Sequence, residues 1–197
     1  VKEKTAQYEI DIDMTAFKNL KDMINMNAYV KIGVLSNHKS KRGSYGIAQI
    51  ASVHEFGGNP RVSDAMRRWF YNTFNVRLRK DKQTINIPER SFLRLSMTQK
   101  ASAFNEYIAS SRNEIFKAIV AGRWLHVLGR FGAQWVSYVL EAFDTRGWGF
   151  WPALSGLTVS VRPNPKKLNM LAHMLSAQPL QNSGDLRRAI TFEVKRS

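Results

Sequence analysis

Between Phe104 and Phe143 apolar side chains recur every three or four positions. Phe104, Ile108, Ser111, Ile115, Ala118 and Ile119 mark one stripe, and Leu125, Leu128, Gly132, Trp135 or Val136, Val139 and Phe143 mark a second. That period is the helical one, and stripes of this length must be buried against a partner surface. Ser96 or Thr98 is the expected start, and Gly122 divides the run into two helices. Gly129 and Gly132 each cost about 1 kcal/mol of helix propensity, which points to close packing of their backbone on a neighbouring element.

Short β-rich segments supply that neighbour. Tyr8, Ile10 and Ile12 alternate with acidic residues, Tyr29 to Leu35 is apolar and β-branched, and Leu157 to Val161 alternates before Pro163 and Pro165. Ile190 to Val194 closes the chain as a strand, and Thr84 to Ile87 has β character until Pro88, which gives no amide to a ladder. Helices are expected after Thr15 as N-cap, with Phe17, Leu20 and Ile24 on one face, and from Ile47 through Ile50, Ala51, Val53 and Phe56 to a stop at Gly57-Gly58. A further short helix carries Leu168, Leu171, Ala172 and Leu175, and 36–44 reads as a polar, basic, mobile loop. The fold class is α+β: a small, mostly antiparallel sheet packed against one or two long helices. The 197 residues suit a single domain, with 59–86 as a basic, aromatic helical insertion arm and 146–197 as an aromatic loop plus C-terminal strand region.

The formal charge is +15 and its distribution is uneven. Residues 58 to 100 carry ten basic and three acidic side chains, residues 146 to 197 carry eight and two, and residues 101 to 145 carry four of each. Two positive blocks therefore flank a neutral helical middle, attract phosphate or acidic protein surfaces, and repel copies of themselves. There is no cysteine, which excludes disulfides and thiolate chemistry and suits a reducing cytosol. No run of apolar residues is long enough to span a membrane, and Val1-Lys2-Glu3-Lys4 lacks the apolar stretch of a secretory signal.

Enzyme signatures are missing. His54-Glu55 resembles the start of a zinc-protease motif, but the second ligand would fall at position 58, which is glycine. His54 reads instead as a helix-end histidine facing the C-terminal dipole. No nucleophile elbow, phosphate loop or dinucleotide fingerprint occurs, and the few carboxylates form no acid–base pair. No catalytic, metal-binding or cofactor-binding residue is assigned, and no cofactor is expected.

In the arm, Ser63 or Asp64 can cap a helix bearing Met66, Trp69, Phe70 and Phe74. Arg67, Arg68, Trp69, Arg77, Arg79, Lys80 and Lys82 are its candidate contacts to a partner or to DNA. Packing of its aromatics on the parent domain or on a neighbouring subunit is the blander reading, because they fall at helical spacing. For Trp148, Phe150 and Trp151, burial against a long helix and insertion into a neighbour's groove stand equal.

Three phrases remain: the helix end His54-Glu55-Phe56-Gly57, the corner Ile87-Pro88-Glu89-Arg90-Ser91-Phe92-Leu93-Arg94, and Pro179-Leu180 followed by Ser183-Gly184-Asp185-Leu186-Arg187. In this order they resemble the neck or tail-completion proteins of long-tailed phages and Mu-like prophages, the virion-morphogenesis group. Asn182-Ser183-Gly184 stands where that group has Asp-Thr-Gly, which keeps a turn former and a hydroxyl. The candidate structural residues are His54, Glu55, Phe56, Gly57, Pro88, Glu89, Arg90, Phe92, Arg94, Ser183, Gly184, Leu186 and Arg187. Glu89 and Arg90 are expected to tie the corner to neighbouring charges, Phe92 and Leu93 to anchor it in the core, and Ser183 to cap the last short helix.

The resemblance implies a non-catalytic virion protein, assembled in the host cytoplasm and located at the head–tail junction. It further implies a homo-oligomeric ring, first expected as a hexamer. Its partners would be the tail tube protein and head-completion or connector proteins, with non-specific contact to genomic DNA in the lumen and none with membrane. The competing reading from another class is a nucleic-acid-binding protein using the basic 59–100 block. A monomer that binds duplex DNA with steep salt dependence would favour it. A small hydrolase would need a histidine or carboxylate cluster formed only on folding.

Overall fold

The computed structural model describes residues 13–35, 46–154, 180 and 184–196. In chain order these form α1 (Thr15–Asn25), β1 (Ala28–Val34), α2 (Ile47–Phe56), α3 (Asp64–Phe74), α4 (Arg94–Ser110), α5 (Arg112–Val120), α6 (Trp124–Asp144), α7 (Asp185–Arg188) and β2 (Ile190–Arg196). The strands expected at 8–12 and 157–161, the loop 36–44, the helix at 168–175 and the Ser183 cap lie outside the described residues.

The class is α+β, as expected. β1 and β2 pair antiparallel, from Ala28 opposite Arg196 to Val34 opposite Ile190. β1 alternates half-buried Val30 and Ile32 with exposed Tyr29 and Lys31, the pattern of a sheet with one covered face. The long helix α6 lies across both strands and supplies that cover. Gly132 sits at the crossing, where a Cβ would penetrate the ring of Phe192. Close approach at Gly132 is thus as the sequence suggested, whereas Gly129 has open space in front of it. Gly132→Ala is expected to destabilise the protein by about 1–3 kcal/mol through overpacking, read as a lower thermal midpoint, while Gly129→Ala, in open space, should be neutral or better.

Several boundaries differ from the sequence reading. α1 begins at Thr15 rather than after it, with Asp13 Oδ1 accepting from the Thr15 N–H at 2.9 Å. Its half-buried positions are Ala16, Asn19, Leu20 and Met23, and Phe17 and Ile24 are exposed, because the helix packs on α5 by a different face. Asn19 Nδ2 donates to Val120 O at 2.7 Å across that contact. α4 begins at Arg94, ahead of both expected starts. The long stripe breaks at Ser111 as well as at Gly122.

α4 and α6 run together behind the sheet. Phe104 packs against Phe131 and Trp135 at centroid distances of 5.5 and 4.9 Å. Lys100 Nζ reaches Glu141 Oε1 at 2.6 Å, and the same oxygen accepts from Trp148 Nε1 at 3.0 Å. The main core gathers Ile47, Ala51, Phe92, Val139, Ala142, Phe143, Trp151, Leu186 and Ile190. It lies where α2, the 88–94 corner, the end of α6 and α7 meet.

Candidate functional site: the Glu55 junction

α2 presents Ile47, Ala51 and Glu55 inward, one turn apart, and leaves Val53 and Phe56 exposed. The inner face of this helix therefore ends in a carboxylate, not in the expected Phe56. Such a group in a helix's last turn is opposed by that helix's own dipole. It is held because the N-terminus of α4 lies directly before it. Glu55 Oε2 accepts from the backbone N–H groups of Phe92 (2.8 Å) and Leu93 (3.0 Å). Oε1 accepts from the Arg94 N–H (3.0 Å), Ser91 Oγ (2.6 Å) and Arg94 Nε (3.2 Å).

These bonds account for the early start of α4. Its N-cap position is Leu93, which has no side-chain oxygen to offer, so the orphan N–H groups that every helix start exposes need a distant acceptor. Glu55 takes those of Phe92, Leu93 and Arg94, and Ser91 Oγ takes that of Leu95 at 3.3 Å. Ser96, expected as a cap, is fully buried and donates to Phe92 O.

Arg94 returns the favour to α2. Its Nη2 donates to Glu55 O at 2.6 Å and to Glu89 Oε1 at 2.8 Å, and its guanidinium lies 4.6 Å over the Phe56 ring. Gly57 then turns the chain at φ +71°, in space that a Cβ would share with Glu89 N at 3.0 Å and Ile87 O at 3.1 Å. A side chain there is excluded by conformation and by contact.

Arg90 ties the corner to the loop that follows α6. It is buried, and its guanidinium donates to Pro152 O (3.2 and 3.1 Å) and Ala153 O (3.1 Å). These bonds to main-chain carbonyls secure the aromatic loop after α6, and Glu89 pairs with the charge of Arg94. Trp151 makes the reciprocal tie, its Nε1 donating to Ser91 O at 2.9 Å. Phe92 is fully buried against Phe143 at 5.3 Å, with Trp151 edge-on to Phe143 at 5.7 Å. Trp151 and, in part, Trp148 are thus buried on the long helix, and Phe150 is 66 % exposed.

The C-terminal phrase reaches the same place. Gly184 adopts φ +70° at the start of α7, Leu186 joins the core, and Arg187 Nη2 meets Asp144 at 2.8 Å. Pro88 follows Ile87, which exchanges both backbone hydrogen bonds with Gly58. Of the thirteen residues that carry the resemblance, all but Ser183 fall within the described structure, and α2, the corner and α7 bring them around one core.

His54 is half-buried, and burial together with the nearby Arg90 charge pushes its pKa down to about 4. It is neutral near pH 7, so the expected charge–dipole role is corrected; its Nδ1 is buried without a hydrogen-bond partner among the described residues, and its backbone O accepts from Arg90 N at 2.8 Å. Burial alone would raise the Glu55 pKa, but the bonds from Ser91, Arg94, Leu93 and Phe92 outweigh it and leave it below its ordinary 4.5.

Both groups bind protons more weakly folded than unfolded. Stability should then be flat above about pH 6.5, the free histidine value, decline toward pH 4 as unfolded His54 takes up a proton, and fall further below pH 4.5 as Glu55 follows. Thermal midpoints across this range test it, and His54→Leu should flatten the upper window alone.

The arm candidates are placed separately from the junction. Arg67 is half-buried, and its guanidinium donates to the carbonyls of Leu78, Arg79, Lys80 and Lys82, so it shapes the arm itself. Arg79 pairs with Asp81 at 3.0 Å. Arg68, Trp69, Arg77, Lys80 and Lys82 are exposed. Ser63 is the cap of α3, its Oγ accepting from Met66 N at 3.2 Å.

Among the described residues, no three His, Asp or Glu side chains come together as a metal site, and no helix is long and apolar enough to cross a membrane. Both Glu55 oxygens are occupied by donors of the chain itself, so this carboxylate is built to join elements. Comparison with protein-family models, curated proteins and solved structures found no match.

Proposed function

We propose that the chain is a structural component of a long-tailed phage virion that forms a closed ring at the head–tail junction, without catalysis, between the tail tube and the head-completion or connector proteins. The observation that supports this is the convergence around Glu55. Two phrases that carry the resemblance, separated by the whole arm, are joined by five hydrogen bonds to one carboxylate, and the third packs on the same core.

A ring also accommodates the charge of +15. Copies of so basic a chain repel one another unless the positive blocks are spread around a perimeter or met by acidic partners. Six is the expected count, matching the symmetry of a tail tube. The solution mass of the purified chain, with particle images at moderate salt, tests this. Closed rings of about six copies are expected on the symmetry argument, and a chain that stays monomeric at every concentration and salt would overturn it.

A further inference from the structure

The insertion between Gly58 and Ile87 is a module with its own supports. At its base, Gly58 and Ile87 exchange hydrogen bonds of 2.9 and 2.8 Å, Val62 N donates to Gln83 O at 2.9 Å, and Ile85 N donates to Pro60 O at 3.0 Å. Farther out, the four carbonyl bonds of Arg67, between 2.6 and 3.3 Å, hold the return segment 78–82 in one shape. No other helix or strand packs extensively on α3 among the described residues.

What this scaffold displays is charge. Residues 59–86 carry seven basic and two acidic side chains. Asp81 is paired with Arg79, and Asp64 lies in the first turn of α3. Arg61, Arg68, Arg77, Lys80 and Lys82 are exposed. The large exposed apolar side chains of the arm, among those described, are Trp69 and Tyr71, and the Arg77 guanidinium lies 5.0 Å over the Tyr71 ring.

We propose that this arm binds the phosphate backbone of duplex DNA. The composition decides between polyanions. The centre of a protein–protein interface is apolar and aromatic and depleted of Lys, whereas among the described residues the arm sets two large apolar side chains, Trp69 and Tyr71, among exposed Arg61, Arg68, Arg77, Lys80 and Lys82. A nucleic-acid surface takes the opposite mixture, dense Lys and Arg with a few aromatics and sequence-independent contacts. Arg67 does not touch the ligand; it positions the segment that does. The proposal goes beyond the neck reading and does not rest on it, since a monomer could bind in the same way.

The test is anisotropy of a labelled mixed-sequence duplex with the full chain, titrated at several salt concentrations. Arg68→Gln, Arg77→Gln, Lys80→Gln and Lys82→Gln are combined in one variant, and Lys21→Gln, Arg112→Gln, Lys117→Gln and Arg123→Gln in a control of equal charge. The arm variant is expected to flatten the log–log salt slope by about 3 to 4 and weaken binding about tenfold or more at 0.1 M salt, with the control close to wild type. Arg68→Lys with Arg77→Lys should keep the slope, which separates lost charge from lost fold. Equal weakening by arm and control variants would overturn the proposal, as would a wild-type chain that ignores duplex and binds polyglutamate.

Discussion

Replacing Glu55 by alanine is expected to destabilise the protein by about 3–5 kcal/mol, the cost of breaking a buried charged network by removing one partner. The loss has a local cause. Ser91 Oγ, the N–H groups of Phe92, Leu93 and Arg94, and Arg94 Nε all donate to this carboxylate, and α4 has no side-chain cap of its own. Without Glu55 the first turn of α4 frays, and Arg94 loses its bond to the carboxylate while keeping the one to the main-chain oxygen at position 55. Glu55→Gln should cost less, about 2–3 kcal/mol, because an amide oxygen still accepts while its NH₂ group is forced against donors. The Glu55 share of the decline, which lies below pH 4.5, should disappear in both variants, while the His54 share between about pH 6.5 and pH 4 remains. Denaturant unfolding at pH 7 reads the first effect, and its change from pH 4.5 downward reads the second.

Phe92→Ala is the second large effect, expected at about 3–5 kcal/mol for truncation of a fully buried aromatic. Phe92 is wholly enclosed and packs at a tilt on Phe143, which also meets Trp151 edge-on. The cavity would open between α4 and α6 at the point where Trp151 and Arg90 hold the aromatic loop. Loss of that loop's order should accompany the lower unfolding midpoint, seen as a red-shifted tryptophan emission as Trp151 becomes wet. Phe92→Leu, which keeps most of the volume, should recover more than half of the loss.

Sequence periodicity disclosed those elements whose reasons are local. The stop at Gly57, the break at Gly122, the close approach at Gly132 and the strand from Ile190 each follow from a residue and its neighbours. The start of α4 did not, because its cap comes from Glu55, 36 to 39 positions away along the chain. A signal for it was present: Glu55 follows Ile47 and Ala51 at helical spacing, so a carboxylate ends an apolar face and needs donors from elsewhere. The bonds of Arg90 to Pro152 and Ala153 were illegible for a related reason, since main-chain carbonyls carry no mark in a sequence. Phe17 and Ile24 show the limit of periodicity itself, since a helical stripe says which residues share a face and not which face the rest of the fold covers.

The described residues that carry the resemblance are gathered by this frame, in which α2 caps α4, the corner holds the aromatic loop, and α7 adds Leu186 to the core. The central claim, that the frame serves a ring joining head to tail, is tested most directly by images of particles assembled without this protein. The expected result is filled heads without tails beside separate finished tails, restored to joined virions by adding the protein back. Intact, tailed virions in its absence would contradict the claim.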